Sequence, residues 1–274
     1  MRSIAYGTVL AIVAVAAEAA EAPPDLTNEP ALPVLMESLE AATPETPYPG
    51  STYRVAELAA FGLRVHAFGF DPALFRVRVA EQAVQTGQAV NGFLERADDV
   101  FAINGGFFER DEDTKALSPS GLLVVDGKLV APEHDRAGSG VVYVAGDNLR
   151  ITYRKTAPPP SEMAAGIQVG PVLVDPGGKV GIYKNAGDRP DRSAVCLTAG
   201  GGIVFVVVDG GLSLFTLATI LAAPEADGGF GCDVALNLDG GPSTQATYRA
   251  GGRMVEIPGD WPVENGLVVS TRRR

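Results

Sequence analysis

The sequence predicts a single α+β domain of mixed, largely antiparallel sheets with few helices. Three observations point there. From Leu58 onward, short apolar runs alternate with Gly, Asp and Pro, the punctuation of strands and turns. Several runs flank pairs such as Asp126-Gly127 and Gly251-Gly252, whose backbone freedom suits hairpin connections. One stretch has a clear helical period: Leu214, Leu217, Ala218 and Leu221, behind Ser213 as N-cap. With 274 residues, 46% of them apolar, the chain can build one large core.

Residues 1–22 read as a secretory signal. Arg2 gives the positive start, and residues 4–17 form an apolar run shorter than the roughly 20 residues of a membrane span. Ala17-Glu18-Ala19 or Ala20-Glu21-Ala22 gives the small-residue cleavage pattern. Export to the periplasm or medium is therefore expected, with no membrane span in the mature chain. Residues 23–57 carry prolines at 23, 24, 30, 33, 44, 47 and 49 and read as an extended linker with at most one short helix near 34–42. Residues 58–274 are the expected domain.

Within it, 63–70 and 74–79 flank Asp71-Pro72 and read as a hairpin, followed by a helix around 90–96 and a buried strand at 100–103. Hairpins are also expected for 121–125 with 128–130, and for 141–144 with 149–153. Gly170-Pro171 inside the apolar stretch 167–174 suggests a bulge or an edge. Strands 193–198 and 203–208 pair around Gly200-Gly201-Gly202, the second apolar enough to be buried on both faces. A second central strand at 234–238, a hairpin of 245–249 with 253–257, and a last strand at 267–270 complete the chain.

The formal charge is −11, and becomes −10 once Arg2, Glu18 and Glu21 leave with the signal. Such a field repels nucleic acid and anionic membranes, so a phosphate-bearing substrate needs a local arginine. Cys196 and Cys232 either form one disulfide in an oxidising compartment or remain two buried thiols. His66 in a strand and His134 in a charged loop, without a CxxC pair, offer little for a zinc site or a histidine triad. No cofactor is required, and a structural divalent cation is left open.

Polar residues at the end of a buried strand are fixed by the sheet while facing a cleft. Asn104-Gly105-Gly106, Asp209-Gly210-Gly211 and Asn237-Leu238-Asp239-Gly240-Gly241 all have that form. The glycines leave no Cβ between a ligand and the backbone amides. Asn237 and Asp239 are two apart and share a strand face, with Ser243 and Thr244 following. Taken singly, each Asp-Gly-Gly is more often an ordinary turn than a site, and Asn237 with Asp239 reads equally as a sugar-hydroxyl site or as a satisfied strand end.

Together, Ala102-Ile103-Asn104-Gly105-Gly106-Phe107-Phe108, Gly170-Pro171, Arg192-Ser193-Ala194, Val207-Val208-Asp209-Gly210 and 235–244 resemble the ordered motif set of the phosphodiester glycosidase family. The resemblance runs from about Leu63 to the C-terminus. That family includes an enzyme that uncovers mannose 6-phosphate by removing N-acetylglucosamine from a phosphodiester. The resemblance implies an α+β fold, a small carbohydrate-phosphate or glycan substrate, and a pocket lined by Asn104, Arg192, Asp209, Asn237, Asp239 and Ser243. Gly105, Gly106, Phe107, Gly170, Gly240, Gly241 and Thr244 belong to the same motifs. One departure bears on substrate choice: Gly240-Gly241-Pro242-Ser243-Thr244 stands where a Gly-Gly-Gly-Ser-Ser type stretch is common, and Pro242 removes an amide donor.

Cleavage of a glycosidic bond passes through an oxocarbenium-like state and uses a carboxylate near the anomeric carbon. Asp239 is the expected nucleophile or base, and Asp209 the second carboxylate or an orienter of Arg192. Arg192 binds phosphate oxygens, and Asn104 and Asn237 contact sugar hydroxyls. Of Phe107 and Phe108, one can stack on a sugar while the other is core, or both are core. Two competing readings are a non-catalytic carbohydrate-binding or polysaccharide-export accessory protein, and a metal-dependent phosphodiesterase with a divalent cation on Asp209 and Asp239.

Overall fold

The computed structural model describes residues 32–272. The expected secretory segment lies outside the described residues, as do residues 23–31 of the expected linker.

Helix α1 (Leu32–Ala41) leads into β1 (Ser51–Leu58), β2 (Leu63–Phe70), β3 (Phe75–Glu81) and β4 (Asp99–Asn104). Short strands β5 (Phe108–Arg110), β6 (Leu117–Pro119), β7 (Leu123–Val125) and β8 (Lys128–Ala131) follow, then β9 (Gly140–Ala145), β10 (Asn148–Tyr153), β11 (Ala165–Val169), β12 (Val172–Asp175) and β13 (Lys179–Val180). Next come β14 (Arg192–Thr198), β15 (Ile203–Asp209), helix α2 (Leu214–Ala222), β16 (Cys232–Asn237), β17 (Ala246–Ala250), β18 (Arg253–Ile257) and β19 (Asn265–Thr271).

They build a seven-stranded sheet in the order β1-β2-β15-β14-β16-β12-β13 and two five-stranded sheets, β10-β9-β11-β7-β8 and β18-β17-β4-β19-β3, with β5 and β6 as a ribbon. The expected hairpins β7–β8, β9–β10, β14–β15 and β17–β18 are all present. Asp126 and Gly127 both take positive φ, the geometry that matches a two-residue turn to twisted strands. The expectation of mixed sheets is corrected, since every strand pairing among the described residues is antiparallel.

Other expectations change as well. Residues 63–70 and 74–79 are not a hairpin. Both edges of β2 are taken by β1 and β15, while β3 pairs with β19 in another sheet. The Asp71 carboxylate accepts from the Ala73 N–H at 2.8 Å, and the Asp71 carbonyl from Leu74 and Phe75, so the turn makes a corner between sheets. The helix expected at 90–96 shrinks to one 3-10 turn, Val90–Phe93, which contains Gly92, a poor helix former. Gly170-Pro171 marks the crossing from β11 to β12, which lie in different sheets. The expected linker is folded from Leu32 on: Leu35 and Leu39 of α1 are fully buried, and β1 pairs along its whole length with β2.

β15 is buried on both faces, as its apolar run requires. Phe205 and Val207 enter a core shared by the three sheets, rich in edge-to-face aromatics such as Phe70 with Tyr248. Val206 and Val208 face a second core closed by α1 and α2. Ser213 caps α2 by accepting the Thr216 N–H at 3.1 Å.

Cys196 and Cys232 form a disulfide between β14 and β16, with Cα atoms 5.8 Å apart and a sequence separation of 36. Chain-entropy arguments value a loop of that size at about 4 kcal/mol. The double variant Cys196→Ala, Cys232→Ala is therefore expected to lose on the order of 4 kcal/mol in urea unfolding, and an unchanged midpoint would refute that.

Candidate active site

The ends of β4, β15 and β16 and the beginnings of β12, β14 and β17 carry the motif residues, and backbone hydrogen bonds tie them together. Asp239 N–H donates to Gly105 O at 2.9 Å, Leu238 N–H to Ser193 O at 2.8 Å, Asn237 N–H to Pro171 O at 3.0 Å, and Gly241 N–H to Asp191 O at 2.8 Å. Four of the motif segments, apart along the chain, thus meet where the three large sheets join.

Asn104 is the hub of this junction. It is fully buried. Its Oδ1 accepts from Ser193 Oγ at 2.7 Å and from Gln245 N–H at 3.2 Å, while its Nδ2 donates to Asp239 O at 2.7 Å. These hydrogen bonds position β14, β17 and the Asp239 backbone.

Asp239 is half-buried, between Asn237 and the 3-10 turn Gly241–Ser243. Burial raises its proton affinity above the ordinary carboxylate range, opposed in part by hydrogen bonds from the Ser243 hydroxyl and Gly240 N–H. Asn237 is buried, and its Nδ2 donates to Gly170 O at 3.1 Å and to Leu238 O. Among the described residues, Asn237 Oδ1 and Thr244 Oγ1 are buried without a hydrogen-bond partner, which is uncommon in a protein interior.

Arg192 lies in the same neighbourhood: a Cβ on Gly240 would sit 4.0 Å from its Cδ. Its guanidinium is mostly buried, with Nε donating to Leu212 O at 2.8 Å and Nη2 to Asp188 O at 3.2 Å. Asp209 does not orient it. That carboxylate forms an ion pair with Arg64 at 2.7 Å across β15 and β2. The carboxylate missed from sequence is Asp191, next to Arg192. Burial raises its proton affinity, the Gly210 and Gly211 N–H groups oppose the rise, and the nearby Asp209 charge adds to it. The sequence signal was present, as an acid directly before the Arg192-Ser193-Ala194 motif.

Gly105 and Gly106 are packed closely against Asn265 and Ile167. A Cβ on Gly105 would stand 2.0 Å from Asn265 Oδ1, and the Gly105 and Gly106 N–H groups are bound by Asn265 O and Oδ1 at 3.0 and 2.7 Å. Phe107 packs on the main core and Phe108 on a smaller one, so the two rings do diverge. His66 is buried 3.1 Å from the Tyr53 hydroxyl, and burial lowers its pKa to about 4. Among the described residues, no group of three or more His, Cys, Asp or Glu side chains is placed to hold a metal ion.

Beside Asn265, Glu264 is 2% exposed, and burial raises its pKa to about 7 despite the hydrogen bond from Asn265 Nδ2 at 2.6 Å. The folded state therefore holds a proton that the unfolded state releases near pH 4.5. Stability falls as pH rises from there to about 7, and the penalty stays in place above it. Glu264→Gln is expected to raise stability by on the order of 2 kcal/mol at pH 8 and to change little at pH 4, as read by thermal melts at both pH values.

A family model described as phosphodiester glycosidase matches residues 97–270. No curated protein sequence matches the chain. Among solved structures, the chain is similar to the zebrafish N-acetylglucosamine-1-phosphodiester alpha-N-acetylglucosaminidase catalytic domain auto-inhibited by its pro-peptide, with 19% identity and a TM-score of 0.59, covering 85% of this chain and 87% of that one. It is also similar to a hypothetical protein from Synechocystis, with 16% identity, a TM-score of 0.56 and 85% of this chain covered; the match spans 64% of that protein. At these identities the structural likeness shows a shared fold.

Proposed function

We propose that this chain, which belongs to the phosphodiester glycosidase family, hydrolyses the bond between a sugar's anomeric carbon and a phosphate. The observation that carries the proposal is Asp239: a half-buried carboxyl with raised proton affinity, held at the junction by Ser243, Gly240 and the Asn104 hub. In this reading Asp239 is the nucleophile or base at the anomeric carbon. With Nε and Nη2 of Arg192 held by carbonyls, Nη1 is the arm left for a phosphate oxygen. Asn237 Oδ1 and Thr244 Oγ1, buried and unpartnered, take the sugar hydroxyls. Asp191 suits the role of second carboxylate better than Asp209, whose charge is matched by Arg64.

A phosphate monoester is a good leaving group, so holding its charge matters more than protonating it. The disulfide supports export, because such bonds persist in oxidising compartments. The test is a panel of chromogenic sugar phosphodiesters, assayed with and without chelator on wild type and Asp239→Asn. Turnover of none of them, or turnover equal in the variant, would end the proposal. Loss with chelator would favour a metal-dependent reaction.

A further inference from the structure

Beside the turn that follows Asp239 lies a cavity of about 210 Å³, lined by Asn91, Gln245, Glu256, Asp260, Trp261 and Pro262 among others. Trp261, the only tryptophan of the chain, is 54% exposed there. Its backbone is fixed to the candidate site. Asp260 and Trp261 N–H donate to Pro242 O at 2.9 and 3.0 Å, and Gln245 Nε2 donates to Trp261 O at 2.8 Å. Pro242 is three residues from Asp239, a span of at most about 11 Å.

We propose that this groove is a subsite for one neutral sugar ring of the substrate, on the leaving side of the scissile bond. This rests on the reading of Asp239 as the site of sugar phosphodiester hydrolysis. The chemistry of the lining selects the occupant. A large aromatic left in water on a pinned backbone is a preorganised contact surface, and its face suits the apolar C–H face of a sugar. Asn91, Glu256 and Asp260 are exposed, and among the described residues their side chains have no hydrogen-bond partner, so they are available to sugar hydroxyls. Two carboxylates in one groove repel phosphate and acidic sugars, which separates this subsite from the phosphate position at Arg192. The volume falls below the roughly 300 to 1,000 Å³ of drug-sized ligand sites, so it fits one ring rather than a longer glycan. Pro242, the residue by which this chain departs from the commoner motif, supplies the carbonyl that anchors the groove.

Because Trp261 is the only tryptophan, its emission reports this groove and nothing else. The full chain is titrated with glucose, mannose, N-acetylglucosamine and cellobiose, and separately with inorganic phosphate. A saturable emission change with at least one neutral sugar, absent with phosphate and weakened in Asn91→Ala and Glu256→Gln, is expected. The same change should persist in Asp239→Asn, which keeps binding distinct from turnover. In kinetics, Trp261→Ala is expected to raise KM about tenfold for a phosphodiester whose leaving group carries a sugar, and to leave KM for a methyl leaving group, too small to reach the ring, within about twofold. The proposal is overturned if no neutral sugar changes the emission, if phosphate alone does, or if Trp261→Ala affects both substrates equally. Sugar binding in a chain that hydrolyses nothing would keep the subsite and remove the glycosidase reading.

Discussion

Asp239→Asn is expected to lower hydrolysis of a sugar 1-phosphodiester by roughly 10²- to 10⁴-fold, the range over which a positioned acid or base contributes. The replacement keeps size and shape, and its Oδ1 can still accept from Gly240 N–H, as Asp239 Oδ1 does at 2.9 Å. Stability should move the other way. Burial raises the proton affinity of Asp239, so its charged form is disfavoured in the folded state and weighs against folding at neutral pH. A neutral carboxamide removes that penalty, and the variant is expected to melt at or above the wild-type temperature. Loss of activity with gain of stability is the pattern of a site held in a strained electrostatic state for function. In the wild type, activity should fall on acidification with its limb displaced above the usual carboxylate value of about 4. A variant that retains turnover would remove Asp239 from the mechanism, and one that melts below the wild type would refute the expected gain in stability.

Asn104→Leu is expected to cost on the order of 4 kcal/mol, since the Ser193 hydroxyl, the Gln245 N–H and the Asp239 carbonyl each lose a buried partner and each such loss is worth roughly 1 to 3 kcal/mol. That is a large share of the about 5 to 15 kcal/mol by which domains are stable. Activity should fall in the surviving folded fraction, because the Asp239 backbone loses its tether. Urea unfolding paired with kinetics distinguishes this from a substrate contact. A contact residue would raise KM and leave the unfolding midpoint in place, and that outcome would refute the positioning role.

Much of the architecture was legible because hairpins are local. The turns at Asp126-Gly127 and Gly251-Gly252 and the cap at Ser213 depend on the φ/ψ preferences and side-chain oxygens of two to four residues. The double burial of β15 was readable for a similar reason: an unbroken apolar run has no face to give to water. Asp71-Pro72 looked like the same kind of signal and was not. A turn fixes where the chain reverses or bends, and which strand lies alongside depends on which sheet edges remain free; β1 and β15 had already taken both edges of β2.

The site divides in the same way. Motif order alone identified the segments that converge, and the family match over residues 97–270 agrees with it. Partnership within the site was not readable. Asp209 pairs with Arg64 rather than orienting Arg192, and Asn104 binds protein groups up to 141 residues away in sequence.

By itself, then, the sequence determined the α+β class with antiparallel hairpins, the α2 helix, the buried β15, and the polar, glycine-flanked ends of the buried strands. Only the tertiary structure decided that Cys196 and Cys232 are joined, that residues from Leu32 on are folded, that Gly105 is glycine because Asn265 occupies the space of its Cβ, and that burial raises the proton affinity of Asp239 and Asp191. Turn and strand propensities are energies of neighbouring residues. Burial, ion pairing and desolvation are energies of groups that become neighbours only when distant segments pack.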